Sequence, residues 1–592
     1  MTSPADPASP GDGAVTLASA AAHSRADWEK AAAGVLRKSG RMSADDGDDQ
    51  VWDKLTRRTL DGLPISPLGT PDLLTDLQTS GRPDRAGAWD VRAWFGDPDA
   101  KSTAADIQVD LDNGVTSVWL EVGAGGVAVS DLGAALRGVL LDVAPVVLQA
   151  DDPVAAAEAF AALAGGTTLV DGTNLGADPL GTLARDRADV DVEAVVRAVA
   201  SIATSLGCRA IVVDGTAVHD LGASDVQELG WTIAAGAAYL RLLVAGGRTV
   251  EQAANLIDFR YAATDEQFLT IAKLRAARRL WARVLEVSGA DELRQRQHVV
   301  TSRPMMTRYD PWVNMLRTCV AAFAAGVGGA DAVTVLPFDS RLGLPDAFGR
   351  RIARNTSALL VEESHVAKVA DPAGGAYAVE RLTDDVAVAA WAELQRIEAD
   401  GGAEAGLAGL RDRIAAVVEE RDAQVARRKR PITGLSEFPN LAETLPQRRA
   451  YPDGGLAVRP YGHAFEQLRD DPAPAPVFLA TMGTVAAHTA RATFAANLLA
   501  AGGIEVVNPG RADDVEAVLA AYAAAGSPAV VCLTGADAAY AAWGAELAAA
   551  LREAGARWVV LAGKRLDFEV DDTCALGIDA LDFLRRTRER LA

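Results

Sequence analysis

The chain has 592 residues, 49% hydrophobic and 23% charged, which is ample for more than one core and too little charge for general disorder. A formal charge of −22 opposes binding to nucleic acid or to an anionic membrane surface. Cys208, Cys319, Cys532 and Cys574 lie far apart and the six histidines form no ligand-spaced pair, so neither a disulfide framework nor a metal motif is expected, and a reducing cytoplasm is the simplest setting.

In chain order, residues 1–25 read as an Ala/Ser/Pro-rich tail without the basic start and apolar core of a signal peptide. Residues 27–36 and 51–60 read as short amphipathic helices, followed by an extended Gly/Pro segment at 61–69. From Trp89 short apolar runs alternate with longer helical ones. The runs expected as strands are 115–122, 145–150, 167–171, 209–214, 239–244, 298–302, 332–337 and 358–362. Eight strands alternating with helices over this length predict a (β/α)8 barrel. Residues 380–430 read as long helices, and Pro-rich sequence up to Pro476 reads as a linker. Apolar runs at 477–481, 504–507, 529–533 and 558–562 predict a small doubly wound α/β domain of flavodoxin type. The expected organisation is an N-terminal tail and arm (1–88), a TIM barrel (89–380), a helical and Pro-rich linker (381–476) and the flavodoxin-like domain (477–592). No uncharged apolar run is long enough for a membrane span.

Two stretches are especially informative. In Ile271-Ala-Lys-Leu-Arg-Ala-Ala-Arg-Arg-Leu-Trp281, with Phe268, apolar residues recur every three or four positions, which leaves Lys273, Arg275 and Arg278 for a polar side. Asp371-Pro-Ala-Gly-Gly-Ala-Tyr377 reads as a tight turn. Together with Arg317-Thr-Cys-Val-Ala-Ala-Phe323 and Arg351-Ile-Ala-Arg-Asn-Thr356, they resemble the methylmalonyl-CoA mutase family. The likeness runs from about Trp52 to the C-terminus.

The resemblance implies adenosylcobalamin chemistry on acyl-CoA, yet the positions that carry it differ. In Leu479-Ala-Thr-Met-Gly-Thr-Val-Ala-Ala-His-Thr-Ala490, Met482-Gly483 sets the register with the family's Asp-x-His-x-x-Gly motif. Val485 then stands for the aspartate, Ala487 for the cobalt-binding histidine and Ala490 for the glycine, while Thr481 replaces a catalytic lysine. His488 is one position off, and a motif slipped to it would need Asp at Ala486 and Gly at Arg491. In Asp214-Gly-Thr-Ala-Val-His-Asp-Leu-Gly-Ala223, Thr216 and Ala217 replace the family's Tyr-His pair, and His219 is displaced by two residues. The segment Asp171-Gly-Thr-Asn-Leu-Gly-Ala-Asp-Pro179 lacks the Asn-Asp-x-x-Lys-Glu pattern, and Gly126-Val-Ala-Val129 replaces an Arg-Gly-Tyr-Asp.

These losses imply a noncatalytic small subunit, paired in a heterodimer with a homologous large subunit that holds adenosylcobalamin and acyl-CoA. No catalytic, cofactor-binding or metal residue is expected on this chain. Trp28, Leu36, Trp52 and Leu55, on helices poorly suited to forming a core of their own, are the candidate partner surface. Trp119 is expected to close the barrel axis if it faces inward. Three other readings are open: an active mutase with a rearranged site, a mutase-derived binding or chaperone protein, and an NAD-dependent oxidoreductase. The last rests on Gly123-Ala-Gly-Gly-Val-Ala128, with Asp151 and Asp152 available for a ribose.

Overall fold

A computed structural model describes residues 23–592, apart from 76, 78, 187, 188, 291 and 292 and the side chain of Asp453; most of the expected tail therefore lies outside the described residues. The chain divides into two compact units between Thr70 and Pro71.

In the first unit, helix Arg25–Lys38 starts in a Ser24/Asp27 capping box, and a second helix spans Val51–Leu55. The acidic loop between them is drawn in by charge: Arg37 donates to the Asp46 carbonyl at 2.6 Å, and Lys54 pairs with the Asp46 carboxylate at 2.8 Å. Ala33, Leu36, Met42 and Val51 pack together, and the Trp28 and Trp52 rings lie 4.6 Å apart against them. This corrects the expectation of an arm without a core. Leu36, expected on a partner surface, is only 4% exposed and belongs to that core.

The second unit begins with a closed barrel of eight parallel strands: β1 (Asp90–Phe95), β2 (Ser117–Val122), β3 (Val146–Ala150), β4 (Asn174–Ala177), β5 (Arg209–Asp214), β6 (Ile257–Ala263), β7 (Gln297–Thr301) and β8 (Ala332–Thr334). Each strand pairs with its sequence neighbours and β8 closes on β1, the (β/α)8 topology expected from the alternating pattern. Three expected strands are something else. Residues 167–171 are a loop before β4, 239–244 belong to helix Asp225–Ala245, and 358–362 form a helix end that runs into a π-helical turn, Leu359–Glu363. A buried helix reads as a short apolar run, which periodicity cannot separate from a strand. Conversely, β1 and β6 carry Asp90, Arg92, Asp258 and Arg260, charges that hide a strand pattern.

The two informative stretches form one physical unit. Helix Gln267–Val287 is buried on nearly all sides, so Lys273, Arg275 and Arg278 have no solvent-facing side and are satisfied inside. Lys273 pairs with Glu228 (2.8 Å) and Asp225 (2.7 Å) on the neighbouring helix. Arg275 grips Asp371 of the Gly-rich turn and Glu380 (2.7 Å), and Glu380 accepts the Gly375 N–H at 2.9 Å. Arg278 binds the Gly81 and Gly328 carbonyls and Gln297.

Helices Tyr377–Ala399 and Leu407–Ala426 follow the barrel and lead into the Pro-rich stretch. The C-terminal sheet is parallel: β9 (Val477–Thr481), β10 (Val506–Val507), β11 (Val530–Thr534), β12 (Trp558–Ala562) and β13 (Asp572–Cys574), in the flavodoxin order β10-β9-β11-β12-β13. Apolar clusters cover both faces of this sheet.

Arg275 is buried with two carboxylates, so Arg275→Met leaves uncompensated charge. The substitution should destabilise the barrel by about 3–5 kcal/mol, read from its denaturant unfolding midpoint.

Candidate functional site

The C-terminal ends of the barrel strands, where this fold builds its sites, carry a dense polar network. Asp214 ends β5. Its Oδ2 accepts from Arg185 (2.9 Å) and Arg260 (3.1 Å), and its Oδ1 accepts from the Thr216 hydroxyl (2.7 Å). Burial opposes ionisation of Asp214, but the two guanidinium groups outweigh it and hold the carboxyl below the usual range. Asp178, after β4, accepts from the Tyr239 hydroxyl at 2.6 Å. Burial and then the neighbouring charge of Asp214 push it up to about 6. Arg303 donates to Asp220 at 3.0 Å. A polar cavity of about 380 Å³ opens among Asp178, Arg185, Asp214, Arg260, Gln149 and Glu121.

Below this mouth the barrel axis is filled. Trp119 on β2 is fully buried and points inward, with the Arg260 guanidinium 4.0 Å above its ring and His298 edge-on at 5.3 Å. Arg260 Nε donates to His298 Nδ1 (3.1 Å), so the other ring nitrogen carries the proton and donates to Thr334 Oγ1 (2.8 Å). Burial, then the adjacent Arg92 and Arg260, hold His298 well below its ordinary pKa, which keeps the ring neutral. Trp119 therefore occupies the axis and does not face the surrounding helices.

Thr216 and Ala217 sit side by side on the short helix Thr216–His219, both buried. His219 turns inward: its Nε2 lies 2.7 Å from Ser302 Oγ and its Nδ1 3.3 Å from Glu228. Ser302, His219 and Glu228 have the order of a nucleophilic triad, but all three are buried, and Glu228 is bound to Lys273 and to the Ala262 N–H. The Gly-rich loop after β2 folds back on its own strand, with Val127 N–H on the Glu121 carbonyl, and Asp151 takes the Ala124 N–H at 2.8 Å. A carboxylate thus occupies the place a dinucleotide phosphate would need, which argues against the NAD reading.

The second set of expected positions lies at the C-terminal edge of β9, far along the chain from the barrel mouth. The Thr481 hydroxyl donates to the Gly510 carbonyl, and Gly483, at φ +84°, makes the turn into helix Val485–Ala501. Val485 and Ala490 are exposed and Ala487 is half-buried. His488 is buried, with Nδ1 3.4 Å from the Gly483 carbonyl. Beside them the Tyr540 hydroxyl lies within donating distance of two strand-end carbonyls, Leu533 (3.0 Å) and Ala562 (2.9 Å), which share its one proton, and the Arg491 guanidinium covers its ring at 4.8 Å.

The profile of the methylmalonyl-CoA mutase family matches residues 100–469, more than half of the chain. The chain belongs to the methylmalonyl-CoA mutase family. It is 47% identical over 596 residues to the methylmalonyl-CoA mutase small subunit of Streptomyces virginiae, covering 95% of this chain and 96% of that one. Identity to the small subunit of Propionibacterium freudenreichii subsp. shermanii is 37% over 610 residues, covering 95% and 94%. A methylmalonyl-CoA mutase of Rhizobium meliloti is 37% identical over 235 residues, 39% of this chain and 33% of that one. Among the described residues no helix is long and apolar enough to cross a membrane.

The donor chemistry at the edge of β9 does not fit a histidine-bound corrinoid cobalt. Valine and alanine offer no ligand atom, and the one nearby imidazole is buried, with a ring nitrogen turned to the Gly483 carbonyl. At the barrel mouth, Asp178, Arg185, Arg260 and Arg303 escaped the sequence reading because charges within strands and loops carry no periodic signal. The one available hint was the acid in Asp178-Pro179, a helix-capping pair.

Asp178 gives a pH test. Its folded value near 6 lies above the ordinary 3.8, so the native state binds the extra proton and Asp178's contribution to stability falls as pH rises from about 4 through 6. Asp178→Asn keeps an acceptor for Tyr239 and cannot titrate. The difference in denaturation midpoint between variant and parent should therefore grow in the variant's favour from pH 5 to pH 7.

Proposed function

We propose that this chain is the small, noncatalytic subunit of a heterodimeric, adenosylcobalamin-dependent methylmalonyl-CoA mutase. A larger homologous subunit holds the cofactor, the acyl-CoA and the catalytic groups. The observation that carries this reading is the filled axis: Trp119, Arg260 and His298 occupy the barrel interior, along which the family resemblance implies that the CoA arm of a substrate would thread. The buried Ala217 offers no hydrogen bond where the family's catalytic histidine stands, and Ala487 offers no ligand at the cobalt position. The match to relatives named as small subunits, over more than nine-tenths of both chains, supports the same reading. The chain then contributes folded mass and surface to an assembly whose chemistry lies elsewhere, and fold and site are separable in this way. In the N-terminal unit, half-buried Trp28, Trp52 and Leu55 are apolar groups available to a partner.

The purified single chain, given adenosylcobalamin and methylmalonyl-CoA, is expected to show no turnover and no imidazole-ligated cobalt spectrum. With the large subunit the pair should be active. Turnover by the chain alone, or an imidazole-ligated spectrum lost in His488→Ala, overturns the assignment.

Trp119→Ala separates a plug from a vestigial site. It should cost about 3–5 kcal/mol of barrel stability, measured by denaturant unfolding, and should leave the single chain inactive.

A further inference from the structure

The polar cavity at the barrel mouth takes up only one side of it. Sharing Glu121 with that cavity, a second chamber of about 200 Å³ opens at or just past the C-terminal ends of β1, β2, β7 and β8. Its walls are more apolar. Trp94 and Leu336 line it and pack in one cluster with Trp119, so the chamber ends on the residue that closes the barrel axis. A further wall is the strap of residues 451–458, which contributes Leu456 and Val458.

The strap is fastened at both ends. The Tyr451 hydroxyl donates to the Ser340 carbonyl at 2.8 Å, and its ring meets Trp94 edge-on at 6.1 Å. Beyond the other end, the Arg459 N–H donates to the Asp220 carbonyl at 2.8 Å. Between these anchors the chain turns through Gly454 and Gly455, both at positive φ (+75° and +76°), where a side chain would be strained. The cover of the chamber is therefore a defined turn.

Two guanidinium groups decide what the chamber can hold. Arg303 donates to Asp220 and Thr216 through Nη1, and Arg341 donates to Glu466 through Nη2. Among the described residues, the remaining side-chain donors of both have no partner, and Arg341 Nε is buried in that state. Both groups lie close enough to Tyr451 to act against the rise that burial imposes on its hydroxyl. Glu121 already accepts from the Trp94 indole N–H (3.2 Å) and the Gln149 amide (3.0 Å). Two cations with open donors disfavour a cationic ligand, and a planar fork with free N–H groups matches a carboxylate.

Size sets the other limit. A closed apolar cavity of about 150 Å³ already accepts benzene, so this chamber suits a body of one ring or a short chain. A CoA thioester is far larger, and the Trp119 floor blocks an arm from continuing down the axis.

We propose that this chamber binds a small free monocarboxylic acid, its carboxylate on Arg303 and Arg341 and its apolar body against Trp94 and Leu336. The proposal does not depend on the heterodimer reading.

Titration calorimetry of the full chain with benzoate and with butyrate, in a buffer free of other carboxylates, tests it. At least one acid should bind saturably at a single site. Its amide should bind at least about tenfold more weakly, because the charge-assisted bonds are lost. Leu456→Trp fills the chamber from the strap, removes no charged group, and should abolish binding while the melting temperature is kept. Arg341→Gln should weaken binding at least about tenfold. Absence of saturable binding by both acids, or an amide that binds as tightly as its acid, overturns the proposal without recourse to any variant. Binding that survives Leu456→Trp and Arg341→Gln unchanged places the acid elsewhere and overturns it as well. Should Leu456→Trp fail to fold, Arg341→Gln decides alone.

Discussion

Arg260 stands at the centre of the barrel, and much of the interior is arranged around the need to satisfy it. Its guanidinium leaves β6 and reaches β7 through His298, β3 through Gln149 and β5 through Asp214, and its face lies on Trp119 of β2. A buried guanidinium without partners would be strongly destabilising, so these contacts act as a set. Burial lowers the pKa of Arg260 to about 10, which leaves it charged at neutral pH. The single tautomer of His298 follows from the same group, while burial, then Arg92 and Arg260, keep its ring neutral. An axis committed to balancing this charge has no room to remain a channel.

The outer frame obeys a similar constraint with a different outcome. Lys273, Arg275 and Arg278 sit on one buried helix, and each finds its counter-groups on another part of the chain: Asp225 and Glu228, Asp371 and Glu380, or the Gly81 and Gly328 carbonyls. These partners tie the helix layer and the Gly-rich turn to the barrel. Lys273, Arg275 and Arg278, within one of the stretches that carry the family likeness, are therefore packing residues. None of these frame contacts involves residues 216, 217 or 487.

The mouth itself is polar and internally paired. Asp214 is held ionised by Arg185 and Arg260, while nearby Asp178 is pushed toward protonation, so the two carboxylates differ through their surroundings alone. His219 is likewise engaged with Ser302 and the Glu228–Lys273 pair. Groups of catalytic type are present, and each is held by a neighbour inside the chain.

Much of the architecture was legible in the residues. β9 and β12 coincide with their apolar runs, β5 does the same in the barrel, and the alternation of elements implied both the barrel and the flavodoxin order. The identity of the side chains at 217, 485, 487 and 490 is likewise a property of the sequence, and with it the absence of ligand atoms there. Tertiary structure decided what periodicity cannot express. It placed residues 239–244 in a helix, because so short an apolar run reads alike as strand or helix, and it revealed β1 and β6, whose charges find their partners on neighbouring strands and across the barrel. It turned the supposed polar face at Lys273 and Arg275 inward, gave the N-terminal helices a core that includes Leu36, and set Trp119 on the axis. Local sequence determines which groups a segment carries; only the closed fold determines which distant groups it must face, and in a buried interior that pairing sets both charge state and position.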